Sequence, residues 1–181
     1  MSDVVSAKEI VSFWREAGPE RWFKKDTAFD DEIKRRFMPT YEAAAEGKLR
    51  DWENNAEGAL ALLILLDQFP RNMFRGDPRA FATDPLARAV TAGALIKGFD
   101  GQVDDMRGFF YLPFEHSEDM ADQERGIALY KAAGDADGLK WAELHADIIR
   151  KFGRFPHRNK VLGRTTTAEE QAFLGSGGFA G

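Results

Sequence analysis

Apolar residues recur along this chain at intervals of three and four almost from end to end, the period of amphipathic helices. Ser6 and Glu9 give a capping-box pattern, followed by Ile10, Phe13, Trp14 and Ala17 on one face and Gly18 as a stop. Thr27 and Asp30 open a second helix whose face is Phe29, Ile33, Phe37 and Tyr41, running towards Gly47. Pro39 within it predicts a kink or break near Met38. A third helix begins near Asn55 and carries Leu60, Leu63, Ile64 and Leu66 up to Pro70. Being apolar almost all round, it is expected to be the central buried helix. The fourth is bracketed by Asp84 as N-cap, Pro85 at the first helical position and Gly98 beyond its end, with Leu86, Ala89, Val90, Gly93 and Ala94 on its face. Further helices are expected at 103–115, at 118–133 with Ser117 as cap, and at 138–152. A short one at 168–174 follows the Thr167–Glu170 capping box.

No run of alternating β-branched residues interrupts this pattern, so the predicted class is all-α, with about eight helices. Connections are short except around 70–83 and 153–166, which favours stacked antiparallel helical hairpins. No fixed repeat period and no linker-like stretch is present, which gives one domain over 1–174. The glycine-rich end, 175–181, is expected to be a flexible tail.

Composition narrows the setting. An apolar fraction of 44% argues against intrinsic disorder, and the absence of cysteine excludes disulfides and thiolate metal ligands. The opening Met1–Ser6 lacks the basic and apolar regions of a secretory signal, and the longest strongly apolar run, Ala59–Leu66, is too short to cross a bilayer. These features predict a cytoplasmic protein without membrane contact.

Charge picks out one segment. Arg150, Lys151, Arg154, Arg158, Lys160 and Arg164 fall within fifteen positions that hold no acid, whereas the whole chain carries −5. Around Phe152-Gly-Arg-Phe-Pro-His-Arg-Asn159 this makes a cationic, aromatic, histidine-bearing loop suited to an anionic group. Gly153 reads as a helix C-cap and Pro156 as the residue that fixes the loop presenting Arg154, His157 and Arg158. On the preceding helix, His145 shares the apolar face of Ile148, Ile149 and Phe152, where a histidine is most often a core residue.

Two other segments combine polar and aromatic groups. Leu66-Asp-Gln-Phe-Pro-Arg-Asn-Met-Phe-Arg-Gly76 places Gln68, Arg71 and Asn72 around a proline. Asp67 and Arg71 have the spacing of an intrahelical ion pair, and that structural role is slightly favoured over a cleft lining. Phe109-Phe-Tyr-Leu-Pro-Phe-Glu-His-Ser117 leads four aromatics, Tyr111 among them, into Glu115 and His116; core packing is the stronger reading of the aromatics alone.

The strings LLDQFPRNMFRG, FFYLPFEHSED and FGRFPHRNKVLGR, the last followed by TTAEEQAFL, together resemble a bacterial family classed as domain of unknown function 924. The resemblance runs from the first helix through Phe173-Leu174. It implies an all-helical fold of the tetratricopeptide-like superhelical class, and it implies no activity and no catalytic residue set. Glu115 departs from the family pattern, which has a more apolar residue before the histidine.

The leading functional expectation is a small anionic molecule or peptide bound in a cleft lined by Gln68, Arg71, Asn72, Tyr111, His116, His145, Arg154, His157 and Arg158, since arginine forks suit carboxylates and phosphates. One alternative is a hydrolase using His116 or His145 as general base, with or without a metal. Another is a protein-binding scaffold in which the loop arginines hold helix ends together. The chain has no His-Glu-x-x-His motif, phosphate loop or nucleophile elbow, so neither a cofactor nor a metal is expected. The acidic total charge disfavours nucleic acid.

Overall fold

The computed structural model describes residues 4–179, and its described residues are helices, turns and connecting segments without a strand. By contacts the chain divides into two compact units, one running to Arg75 with Arg79–Pro113, the other comprising Gly76–Pro78 and the chain from Phe114 onward.

The first unit holds α1 (Ala7–Ala17), a short α2 (Pro19–Trp22), α3 (Thr27–Ala45), α4 (Ala56–Leu63), α5 (Phe69–Met73) and α6 (Asp84–Ile96). As the composition of α4 implies, it is buried nearly all round and packs against α1 and α6. Its N-cap is Asn55, whose side chain accepts the Gly58 N–H at 2.8 Å. A Cβ at Gly58 would lie 2.2 Å from the Trp52 carbonyl oxygen, so only glycine permits this approach. Trp14 stands at the centre of an aromatic core, its ring centroid 6.0 Å from Phe29, 5.6 Å from Phe69 and 6.1 Å from Phe109.

Four expectations are corrected in this unit. The second helix is capped by Asp26, which accepts the Phe29 N–H, and it continues past Pro39 without a break. Phe37, Thr40 and Tyr41 are buried on both sides of the proline, and that packing outweighs one missing hydrogen bond. Pro70 likewise does not end the third helix. The chain widens into a π turn over Ile64–Gln68, with the Phe69 N–H reaching Ile64 O, and continues as α5. Proline at 70 cannot bond the Leu66 carbonyl one turn back, and the Thr83 hydroxyl meets that oxygen instead at 2.6 Å. With Thr83 so used, Asp84 is not the N-cap of α6: the cap position is Thr83, without a side-chain capping bond, while Asp84 turns to Arg71. Finally, most of 103–115 is 3₁₀ helix, Asp104–Phe110, bent at Met106 (φ −131°, ψ 19°), followed by the single turn α7 (Leu112–Glu115).

The Thr83 contact sets a test. Thr83→Val keeps the shape and leaves the buried Leu66 carbonyl without its donor, so it should cost about 2 kcal/mol. The urea midpoint should fall at unchanged slope.

In the second unit α8 (Met120–Ala133) and α9 (Ala136–Phe152) form a helical hairpin closed by Gly134 in the left-handed region (φ 70°). The N-cap of α8 is Asp119, not Ser117; the Ser117 hydroxyl donates to Asp122 at 2.7 Å and accepts the Asp119 N–H. Gly153 ends α9 as expected, and α10 (Ala168–Gly175) opens on the Thr167–Glu170 capping box. Ile148, Ile149 and Phe155 form the core of this unit, with Met120, Phe152, Phe173 and Phe179 packed against it. Of the expected tail, residues 180 and 181 lie outside the described residues.

Candidate functional site

The nine sequence candidates divide between the units. Gln68, Arg71, Asn72 and Tyr111 fall in the first; His116, His145, Arg154, His157 and Arg158 fall in the second.

In the first unit the π turn presents buried polar groups to one another. Gln68 donates to Asp67 at 2.6 Å. Arg71 forks onto Asp84 at 2.9 and 3.0 Å and reaches the Asp67 carbonyl at 2.6 Å, with the Asp67 carboxylate 3.4 Å away. Burial pushes the Arg71 guanidinium down, but Asp67 and Asp84 more than reverse this and leave its pKa raised. Asn72 donates to Asp30 at 2.8 Å, which Arg75 also grips at 2.8 and 3.0 Å. The Tyr111 hydroxyl donates to Asp100 at 2.8 Å. The i,i+4 ion pair read from Asp67 and Arg71 is present, with Asp84 as a second acid the sequence did not reveal. A cleft of about 510 Å³ in this unit, floored by Val11 and Leu60, is lined by none of the nine candidates.

In the second unit the cationic loop faces acids from outside its own stretch. Arg154 spans Glu170 at 2.7 and 2.9 Å and donates to the Thr165 carbonyl at 2.8 Å. Arg164 spans Glu118 at 2.7 and 3.0 Å and reaches the Phe155 carbonyl at 3.0 Å. Arg158, 7% exposed, donates to the His116 carbonyl at 3.0 Å with its guanidinium 4.6 Å from the Phe155 ring centroid. Glu170 also accepts from Asn159 and from the Thr167 N–H. Hydrogen bonds from Arg154 and the Thr167 backbone hold its carboxyl down at about 2. For Glu118, burial pushes upward, but bonds from Arg164 and the Phe155 N–H bring it below the usual carboxylate range.

One group of polar atoms in this unit is not consumed by the framework. His145 is 6% exposed and Glu115 3% exposed, and Nδ1 of the imidazole lies 2.5 Å from Glu115 Oε1. The contact is close but lacks hydrogen-bond alignment, and Glu115 Oε2 and His145 Nε2 are buried without hydrogen-bond partners. The Gln123 side chain holds the turn beside them by donating to the Glu115 and Ser117 carbonyls at 2.6 and 2.7 Å. Aromatic rings enclose the imidazole. Phe155 stands 5.6 Å from it edge-on, and Phe179 is 4.6 Å away. His157 lies 5.6 Å from Phe155 and 5.3 Å from Phe179. His116 contributes its backbone carbonyl to the loop, and its side chain is half-buried.

Sequence reasoning missed Glu118 and Glu170 as partners of the arginines, and Gln123 and Phe179 around His145. Only Glu170 carried a signal, as the third position of its capping box. Among the described residues no three of His, Asp and Glu converge closely enough to hold a metal ion, and no helix is long and apolar enough to cross a membrane.

Comparison with known proteins places this geometry in a family. A solved structure of a protein of unknown function, ATU0120 from Agrobacterium tumefaciens, is similar over 94% of this chain and 97% of its own, with 50% identity and a TM-score of 0.91. No curated protein matches. The family model for bacterial proteins of unknown function, DUF924, matches residues 10–178. With nine-tenths of its length inside that match, the chain belongs to the DUF924 family.

Proposed function

We propose that this protein binds a small molecule or peptide group at the Glu115–His145 pair of its second unit, and that the arginines of the 150–164 loop serve as framework. The observation that carries this reading is the pair of buried polar atoms, Glu115 Oε2 and His145 Nε2, without partners in an otherwise apolar, aromatic enclosure. Buried polar atoms cost stability unless a partner meets them, and an apolar pocket with a few convergent polar groups is the usual form of a ligand site. An anion in this unit competes with Glu170 for Arg154 and with Glu118 for Arg164, and it meets the carboxylate of Glu115. That favours a neutral ligand over the anionic one suggested by the loop charge. Thermal-shift screening of a metabolite panel should yield compounds that raise the melting temperature of the native protein and not of His145→Gln with native circular dichroism. A panel whose shifts are the same in both proteins refutes the reading.

A second reading is supported by the 2.5 Å carboxylate–imidazole contact. A carboxylate beside Nδ1 orients the ring and leaves Nε2 for proton transfer, the arrangement of a general base, and such contacts are often misaligned until substrate arrives. In that case ester or amide hydrolysis should be lost in His145→Gln and weakened in Glu115→Gln.

A further inference from the structure

Building on the ligand-site reading, we infer that the place held by Phe179 is the ring seat of the ligand, and that the ligand is a neutral phenolic group displacing the chain's own C-terminal segment. Phe179 sits against the imidazole of His145 at 4.6 Å and of His157 at 5.3 Å, and packs on the Ile148–Ile149–Phe155 core. It supplies a ring and no polar group, while two polar atoms, one of them on the imidazole it touches, are unmet. A hydroxyl meets both: it donates to Glu115 Oε2 and accepts from or donates to His145 Nε2. A carboxylate on the ring would face Glu115, and a bare ring would leave both atoms as Phe179 leaves them.

The segment that carries Phe179 is held lightly. After α10 the chain turns at Gly177 (φ 83°), and the Gly178 N–H bonds the Phe173 carbonyl at 3.0 Å. A Cβ at Gly178 would lie 2.5 Å from that carbonyl oxygen and 2.7 Å from the Phe173 ring, so the turn that aims Phe179 depends on glycine there. Only this turn and one half-buried ring keep the seat filled. A ligand ring competes with a tethered one, and its apparent affinity falls by the fraction of time the seat is open.

The experiment measures binding of p-cresol, toluene, benzoate and the capped peptide acetyl-Gly-Tyr-Ala-amide to the full chain by ligand-observed NMR. Native protein, Phe179→Ala, Gly178→Ala and Phe179→Ala/His145→Gln are compared, each checked for native circular dichroism. Phe179→Ala should bind p-cresol about tenfold more tightly than the native chain if the seat is closed about nine-tenths of the time. Gly178→Ala should move the same way although its phenylalanine remains. Toluene should bind more weakly than p-cresol, benzoate should not bind, and adding His145→Gln should reduce p-cresol to the level of toluene. Tighter binding of p-cresol marks a free phenol as the ligand, and tighter binding of the peptide marks a tyrosine side chain.

Equal p-cresol affinity in native and Phe179→Ala protein, or no binding to either, overturns the inference. If metabolites still stabilise the protein in a His145-dependent way, the ligand-site reading survives that result. If nothing responds to His145→Gln, both fall.

Discussion

Arg71→Ala should destabilise the protein by about 4 kcal/mol, because it strands two buried carboxylates at once. Asp67 and Asp84 are 1% and 5% exposed, and the guanidinium bridges them while also meeting the Asp67 carbonyl. Lysine keeps the charge but not the fork, so Arg71→Lys should recover only part of the loss. Adding Asp67→Asn and Asp84→Asn to Arg71→Met should restore more than Arg71→Lys does, since the penalty lies in the uncompensated charge rather than in the missing pair. Chemical denaturation of the four proteins decides it. A cost under 1 kcal/mol for Arg71→Ala, the range of exposed pairs, would show that these acids are better solvated than their burial indicates.

Glu170→Ala ranks second, at about 3 kcal/mol. Its carboxylate is 2% exposed and accepts both arms of Arg154, the Asn159 amide and the Thr167 N–H, so one truncation releases the loop and the start of α10 together. The pH dependence has a definite sign. A carboxyl held at about 2 in the folded chain, against 4.5 ordinarily, contributes fully above 4.5, and that contribution is lost as the pH falls from 4.5 towards 2. Native protein should therefore lose stability through that window more steeply than Glu170→Gln. Parallel urea midpoints in the two proteins between pH 5 and 2.5 would contradict the assignment.

Local signals were legible in the sequence wherever the physics is local. The Gly153 stop, the Thr167–Glu170 capping box and the buried character of α4 follow from neighbours within a turn or two. Where the sequence misleads, a distant partner has outbid a nearby one. Asp84 has the identity and position of a cap, yet Arg71, thirteen residues away, takes its carboxylate. Pro70 marks a helix end by its missing N–H, and Thr83 cancels that signal by meeting the stranded carbonyl from seventeen residues on. The loop cations follow the same rule. A window of fifteen residues shows six positive charges and no acid, but the acid facing Arg164 lies forty-six residues upstream. The candidate site was half legible: His145 stood out as a histidine on an apolar face, whereas Phe179 lay in a glycine-rich stretch that reads as tail.

The widened turn at Ile64–Gln68 works as a phase shifter. One surplus residue in an α-helix advances everything after it by about 100° around the axis. Without it, the side chains at 71 and 72 would point about a quarter-turn away from Asp84 and Asp30, the acids they now reach. The bulge is thus a stored insertion. Deleting one residue between 64 and 68 would heal the helix into regular geometry and put every downstream side chain out of register with its partner. A chain made locally more ideal in this way would be globally mismatched.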